Sequence, residues 1–196
     1  MMPLKLALTI SLFAVLSACA GAPPPGAPPA APRERPTTAT ANPALSAEEV
    51  SMRFLRLIEG LRSRGDITVE RVQKTMGVTL QWNTGGLFHL QDLEGDWFYV
   101  LSMAFSEAGQ KAKIALDFVN RMNRSADMSS ICNPDFARYQ AALKKMGYQE
   151  TPLRDKSGQL TYITYSKGDI LIGLVPQLKI SREGKTYPAC VRRIGL

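Results

Sequence analysis

Between Trp97 and Asn120 the chain commits itself to antiparallel sheet. Trp97, Tyr99, Leu101, Met103 and Phe105 alternate along one run, and Ile114, Leu116 and Phe118 alternate within Lys113–Asn120. Period two is the signature of strand. The turn Ser106-Glu107-Ala108-Gly109 sits between the runs. A connection that short joins antiparallel neighbours, because a parallel pair needs a crossover of a dozen residues or more. Val78–Trp82 and Leu87–Leu93 extend the meander through Asn83-Thr84-Gly85-Gly86 and Glu94-Gly95-Asp96. Leu160–Ser166, Ile170–Ile180 and Tyr187–Ile194 form a second set, with Lys167-Gly168-Asp169 and Arg182-Glu183-Gly184-Lys185 as turns.

Helical spacing precedes each set. Ser46-Ala47-Glu48-Glu49 has the form of a capping box, and Val50, Phe54, Leu57, Ile58 and Leu61 follow on one face, with Gly65 as the expected stop. Arg53, Arg56, Arg62 and Arg64 make the opposite side basic, as a solvated face or as a binding patch. Val69, Val72 and Met76 mark a short second helix closed by Gly77. Arg121–Ile131 is polar and irregular. Asn133-Pro134-Asp135 then opens a third helix, with Asn133 as expected cap, Phe136, Tyr139, Leu143 and Met146 as its buried stripe, and Gly147 as its end. The expected fold class is α+β: helices on one face of antiparallel sheet, in two tandem helix-plus-meander units, 44–131 and 132–196.

The first 43 residues do not belong to that fold. Lys5 precedes an apolar stretch from Leu6 to Leu16, which is of signal-peptide length and too short for a spanning helix of roughly 20 residues. Leu16-Ser17-Ala18-Cys19 resembles the lipobox of bacterial lipoproteins. The resemblance implies a signal peptide over 1–18, cleavage after Ala18, diacylglycerol on the Cys19 sulfur and acylation of the new amino terminus. An ordinary secretory signal with a chance cysteine is the alternative. Two or more acyl chains hold a bilayer stably where one binds marginally. Ala20 after the cysteine implies sorting to the outer membrane, with the domain in the periplasm or, alternatively, at the cell surface.

Residues 19–43 read as the lipidated cysteine and a tether. Ala20–Pro43 holds eight of the 13 prolines and no large apolar side chain, so it lacks the surface to offset the entropy of ordering. Polyproline II at about 3.1 Å per residue gives a reach of up to roughly 70 Å. What remains is about 153 residues, enough for one ordinary domain or two small ones.

The chain carries a net charge of +7. An exported lipoprotein with no recognition motif has no evident nucleic-acid partner. The charge suits anionic headgroups, peptidoglycan carboxylates or a protein that is acidic where it docks, and a merely solvated basic surface is the alternative. Cys132 and Cys190 form an even pair in an oxidising compartment and are expected to bond, two separate buried thiols being the alternative.

Catalytic sets are hard to assemble. No G-x-S-x-G elbow, H-E-x-x-H, C-x-x-C or glycine-rich phosphate loop is present. The single histidine, His89, has no obvious companion ligands and lies in a strand pattern. Glu48/Glu49 and Asp92/Glu94 fall at a helix start and a turn. A lysozyme-like acid pair drawn from distant positions is left open by the sequence. The residues therefore point to a non-enzymatic protein with no cofactor and no metal. Aromatics offer the candidate partner-binding set. Adjacent Trp97-Phe98-Tyr99 must divide between the two faces of a strand, and exposed aromatics anchor protein interfaces. The set is Trp82, Phe88, Trp97 and Tyr99 in the first meander with Tyr162 and Tyr165 in the second, core packing being the alternative for each.

The helix–meander plan, with Ile67-Thr68-Val69-Glu70-Arg71-Val72 and Met76-Gly77 before the strands, resembles small periplasmic lipoproteins of outer-membrane assembly and the tandem-unit β-lactamase inhibitor proteins. The resemblance covers the architecture and a dozen residues. It implies a binding protein, either an inhibitor or immunity protein for a periplasmic enzyme or an assembly lipoprotein of an envelope or secretion machine.

Overall fold

The computed structural model describes residues 44–105, 112–180 and 186–196, with the backbone alone for Ile180 and Thr186. Cys19, the signal and the tether lie outside the described residues. Helix α1 spans Ala47–Glu59. The Ser46 hydroxyl accepts from the Glu49 N–H, and Glu48 and Glu49 place negative charge on the first turn, where the helix dipole favours it. The helix stops at a Gly60 cap, five residues before the expected Gly65. Asp66 is the reason: its carboxylate accepts the Arg62 and Ser63 N–H groups and draws the chain into a single 3-10 turn, Arg64–Asp66.

Helix α2, Val69–Met76, begins at Thr68, whose hydroxyl accepts from Arg71 N–H, and ends at Gly77 in the left-handed region (φ 68°). A Cβ at Gly77 would sit 2.2 Å from the Arg53 guanidinium. That crowding has a purpose: Arg53 Nη1 donates to the Met76 carbonyl at 2.6 Å, and Arg71 Nη1 donates to the Gly60 carbonyl at 2.8 Å. Each helix thus lends an arginine to the other's C-terminal end, where unsatisfied carbonyls favour a cation. Arg53 is therefore a structural residue and leaves the expected basic face.

Eight strands form one antiparallel sheet: β1 Gln81–Asn83, β2 Gly86–Asp92, β3 Trp97–Phe105, β4 Ala112–Asn120, β5 Gln149–Arg154, β6 Leu160–Lys167, β7 Ile170–Ile180 and β8 Thr186–Gly195. Their order is β1-β2-β3-β4-β8-β7-β6-β5. The meanders β1–β4 and β5–β8 lie side by side, joined where Ala115, Leu116 and Asp117 pair with Gly195, Ile194 and Arg193. The fold is α+β. Strand β5 has no counterpart in the sequence reading. It is a polar edge strand containing Pro152, mostly exposed, so no alternation reveals it.

Helix α3, Phe136–Lys145, starts two residues later than expected, with Asp135 rather than Asn133 as its cap. The Asp135 carboxylate accepts the Arg138 N–H at 2.9 Å, while the Asn133 amide is turned to Glu48 and Arg138. One sheet face meets the helices. Tyr99, Leu101 and Met103 of β3, Leu116 of β4, Ile172 and Leu174 of β7 and Ile194 of β8 share that core with Phe54, Ile58, Met76 and Leu143. The disulfide Cys132–Cys190, with Cα atoms 5.4 Å apart, ties the segment before α3 to β8. Closing a 58-residue separation stabilises the fold by about 4 kcal/mol on the chain-entropy model. The polar stretch before α3 is held by Gln177, which donates to Ala126 O at 2.6 Å and accepts from Met128 N–H at 2.8 Å.

Candidate functional site: the open face of the sheet

Alternation puts the other half of every strand on the face away from the core. On β3 these are Phe98, Val100, Ser102 and Ala104, each half-buried. Registry aligns them with Phe88 and Leu90 on β2 and with Ala115 and Val119 on β4. In the second meander Leu153 and Tyr162 face the same way as Gly173, Leu171 and Val175. Leu90, Leu153 and Leu171 keep 47%, 49% and 51% of their surface exposed. An antiparallel sheet covered on one side ordinarily turns polar residues outward. This one sets aliphatic and aromatic side chains among its polar ones, Ser102, Thr151, Thr164 and Ser166, and exposed apolar groups of that kind mark docking surfaces.

Cations lie among them. The Arg121 guanidinium sits 5.3 Å from the Phe98 ring centroid and also pairs with Asp92. Arg193 pairs with Asp117 at 3.4 Å. Burial pushes the Asp117 carboxyl up, and Arg193 opposes that shift. Where β4, β8 and β7 run side by side the face opens into a cleft of about 450 Å³, lined by Arg64, Lys113 and Arg193 together with Ala104, Tyr162, Leu171, Gly173 and Gly195. A Cβ at Gly173 would lie 1.5 Å from the Tyr162 hydroxyl, because that ring lies across the glycine, so a side chain there would displace the ring. At Gly195 a Cβ would meet the Ile114 carbonyl at 3.0 Å.

The expected aromatic set divides. Phe88 and Tyr162 lie on the open face. Trp82 is 72% exposed on the edge strand β1, on the core side of the sheet, with its ring 6.1 Å from Phe105. Trp97, Tyr99 and Tyr165 are buried core residues, and none belongs to an exposed surface. Their parity along β3 and β6 turns them to the helices, where Tyr99 donates to Gln91 Oε1 at 3.1 Å and Tyr165 to Glu150 Oε2 at 3.2 Å. Burial raises both phenols, Tyr99 to about 12. Arg64 belongs to the arginine set weighed from the sequence as a binding patch, whereas Phe98, Leu90, Leu171, Lys113 and Arg193 fall outside the expected set. Phe98 was legible as the outward partner of Trp97 and Tyr99, whereas the cleft joins residues more than a hundred positions apart.

His89 also faces the core, 5.7 Å from the Tyr99 ring and bonded to the Thr79 backbone. Burial lowers its pKa. Glu48 pairs with Arg138, Glu49 with Arg53 and Asp92 with Arg121. Among the described residues no three His, Cys, Asp or Glu side chains approach closely enough to hold a metal ion. Comparison of the chain with protein-family models, with curated proteins and with solved structures finds no match.

Proposed function

We propose that this protein is a non-catalytic lipoprotein that binds and inhibits a periplasmic enzyme, as an inhibitor or immunity protein, through the open face of its sheet. One observation carries the reading: the sheet packs β2, β3, β4, β6, β7 and β8 against the helices on one side and presents Phe88, Leu90, Phe98, Val100, Leu153 and Leu171 on the other. A patch of that character is an anchor surface for a protein partner. The cations set among the apolar side chains favour a partner that is acidic where it docks.

In this reading Cys19 carries the lipid that holds the chain at the outer membrane, and residues 19–43 let the domain reach into the periplasm. The domain is two helix-plus-meander units, α1–α2–β1–β4 and α3–β5–β8, whose last strands meet at the centre of the sheet. The mirrored strand order supports that division. The test is capture from envelope extracts on the detergent-solubilised full chain, beside a Leu90→Asp/Leu171→Asp variant. The expected result is one enzyme retained by the wild type, inhibited by it, and lost from the variant. Recovery of envelope-machine subunits instead of an enzyme would replace inhibition with an assembly role.

A further inference from the structure

We propose that the cleft at the centre of the open face is the seat of an acidic surface loop of the protein partner, whose carboxylates meet Arg64, Lys113 and Arg193. The inference rests on the open face being the docking surface, and it says what element of the partner enters and where. Three observations carry it.

The first is charge. Among the described residues Arg64, Lys113 and Arg193 line the cleft, and no Asp or Glu side chain does. Asp117 engages Arg193 at 3.4 Å, and the Asp169 carboxylate accepts the Arg64 backbone N–H at 3.2 Å, leaving the Arg64 side chain to other partners. Among the described residues the Arg64 guanidinium donates only to the Ala112 carbonyl, at 3.5 Å, and its Nε is buried with no hydrogen bond. Lys113 makes no ion pair among the described residues. The terminal Nη groups of that guanidinium have N–H donors to spare, and a carboxylate takes them in a charge-assisted bond.

The second is shape. Gly173 and Gly195 let the walls close in: the Tyr162 ring lies over Gly173, and the Ile114 carbonyl and Ala115 Cβ stand 3.0 and 3.1 Å from where a Gly195 Cβ would be. A recess of about 450 Å³ accepts a few side chains of a projecting loop.

The third is the rim. Leu171, Ala104 and Tyr162 border the cations, so the entering element needs apolar atoms beside its carboxylates. A peptide loop has both. The flat headgroup layer of a bilayer offers charge to rims and protrusions rather than to a recess.

The experiment titrates the full-length, detergent-solubilised, isotope-labelled chain with the peptide acetyl-Gly-Glu-Leu-Asp-Gly-amide and with its Gln/Asn counterpart, following amide NMR shifts. The expected result is saturable shifts centred on Gly173 and Gly195 with the acidic peptide alone. Lys113→Gln/Arg193→Gln should weaken that binding by about tenfold or more, as expected for charge-assisted bonds. Lys113→Glu, a change at one exposed side chain, should weaken it as well while leaving the melting temperature unchanged. Shifts absent from Gly173 and Gly195, equal binding of the neutral peptide, or saturation of the cleft by phosphatidylglycerol vesicles where the peptide has no effect would each overturn the proposal. An enzyme still captured by Lys113→Gln/Arg193→Gln, but lost with Leu90→Asp/Leu171→Asp, would overturn the cleft and leave the docking face standing.

Discussion

The two faces of β3 are built from similar residues and meet opposite surroundings. Tyr99, Leu101 and Met103 are buried under the helices, while Phe98, Val100 and Ala104 on the other side are half-exposed. A run apolar on both faces is what a strand buried on both faces looks like. Here one cover is α1, α2 and α3, and nothing within the described residues supplies the other. The comparison teaches that the sequence is written for two covers, and it separates stability, which resides on one face, from recognition, assigned here to the other.

Breaking the covered face should have the largest effect. Leu101→Ala removes a fully buried side chain and should cost about 2–5 kcal/mol in denaturant unfolding, through lost burial and the cavity left behind. Next comes the clamp behind that face. Cys132→Ser/Cys190→Ser should lower stability by about 3–4 kcal/mol, and reduction of the wild type should give the same loss. On the open face Gly173→Ala forces its Cβ against Tyr162 and should cost about 1–3 kcal/mol. Adding Tyr162→Ala should recover most of that, a coupling that a double-mutant cycle reads directly. Phe98→Ala and Leu90→Ala should cost about 1 kcal/mol or less in folding and yet weaken partner binding by about 2 kcal/mol or more, as interface anchors do.

The smallest effect tests the covered face through pH. His89 is the single histidine, and burial depresses its folded pKa below the ordinary imidazole value of 6.5. The unfolded chain therefore binds a proton that the native chain resists as pH falls below about 6.5. The neutral-histidine contribution is complete above that pH and is lost on acidification toward the folded pKa. Thermal melts should show a modest fall from pH 7 to 5.5 that His89→Phe abolishes.

How much of this was legible follows from the range of the interactions. Strand β3 and helix α2 were readable because each is set by local period and, for α2, by Gly77 at the end. The end of α1 was not, because Asp66 reaches back to Arg62 and Ser63 to set the following turn, and a Gly65 further on looked like the stop. Strand β5 was invisible because an exposed edge needs no alternation. The aromatic candidates divide on parity and, for Trp82, on its place in an edge strand: one step along β3 separates buried Tyr99 from outward Phe98, and only the helices' position decides which parity is inward. The cleft was beyond sequence reasoning, since Lys113, Gly173 and Arg193 meet through the pairing of β4, β8 and β7, and Arg64 joins them from the 3-10 turn through Ala112 and Asp169.

Enzyme inhibition through the open face, as proposed, is read by an activity titration. The captured enzyme would be assayed against increasing wild-type protein and, in parallel, against Leu90→Asp/Leu171→Asp. The account predicts activity that falls to completion near equimolar wild type, with about 100-fold more variant needed, the loss expected when interface anchors become charged. Equal inhibition by the two proteins would contradict the docking face, and activity unchanged by the wild type would contradict inhibition itself.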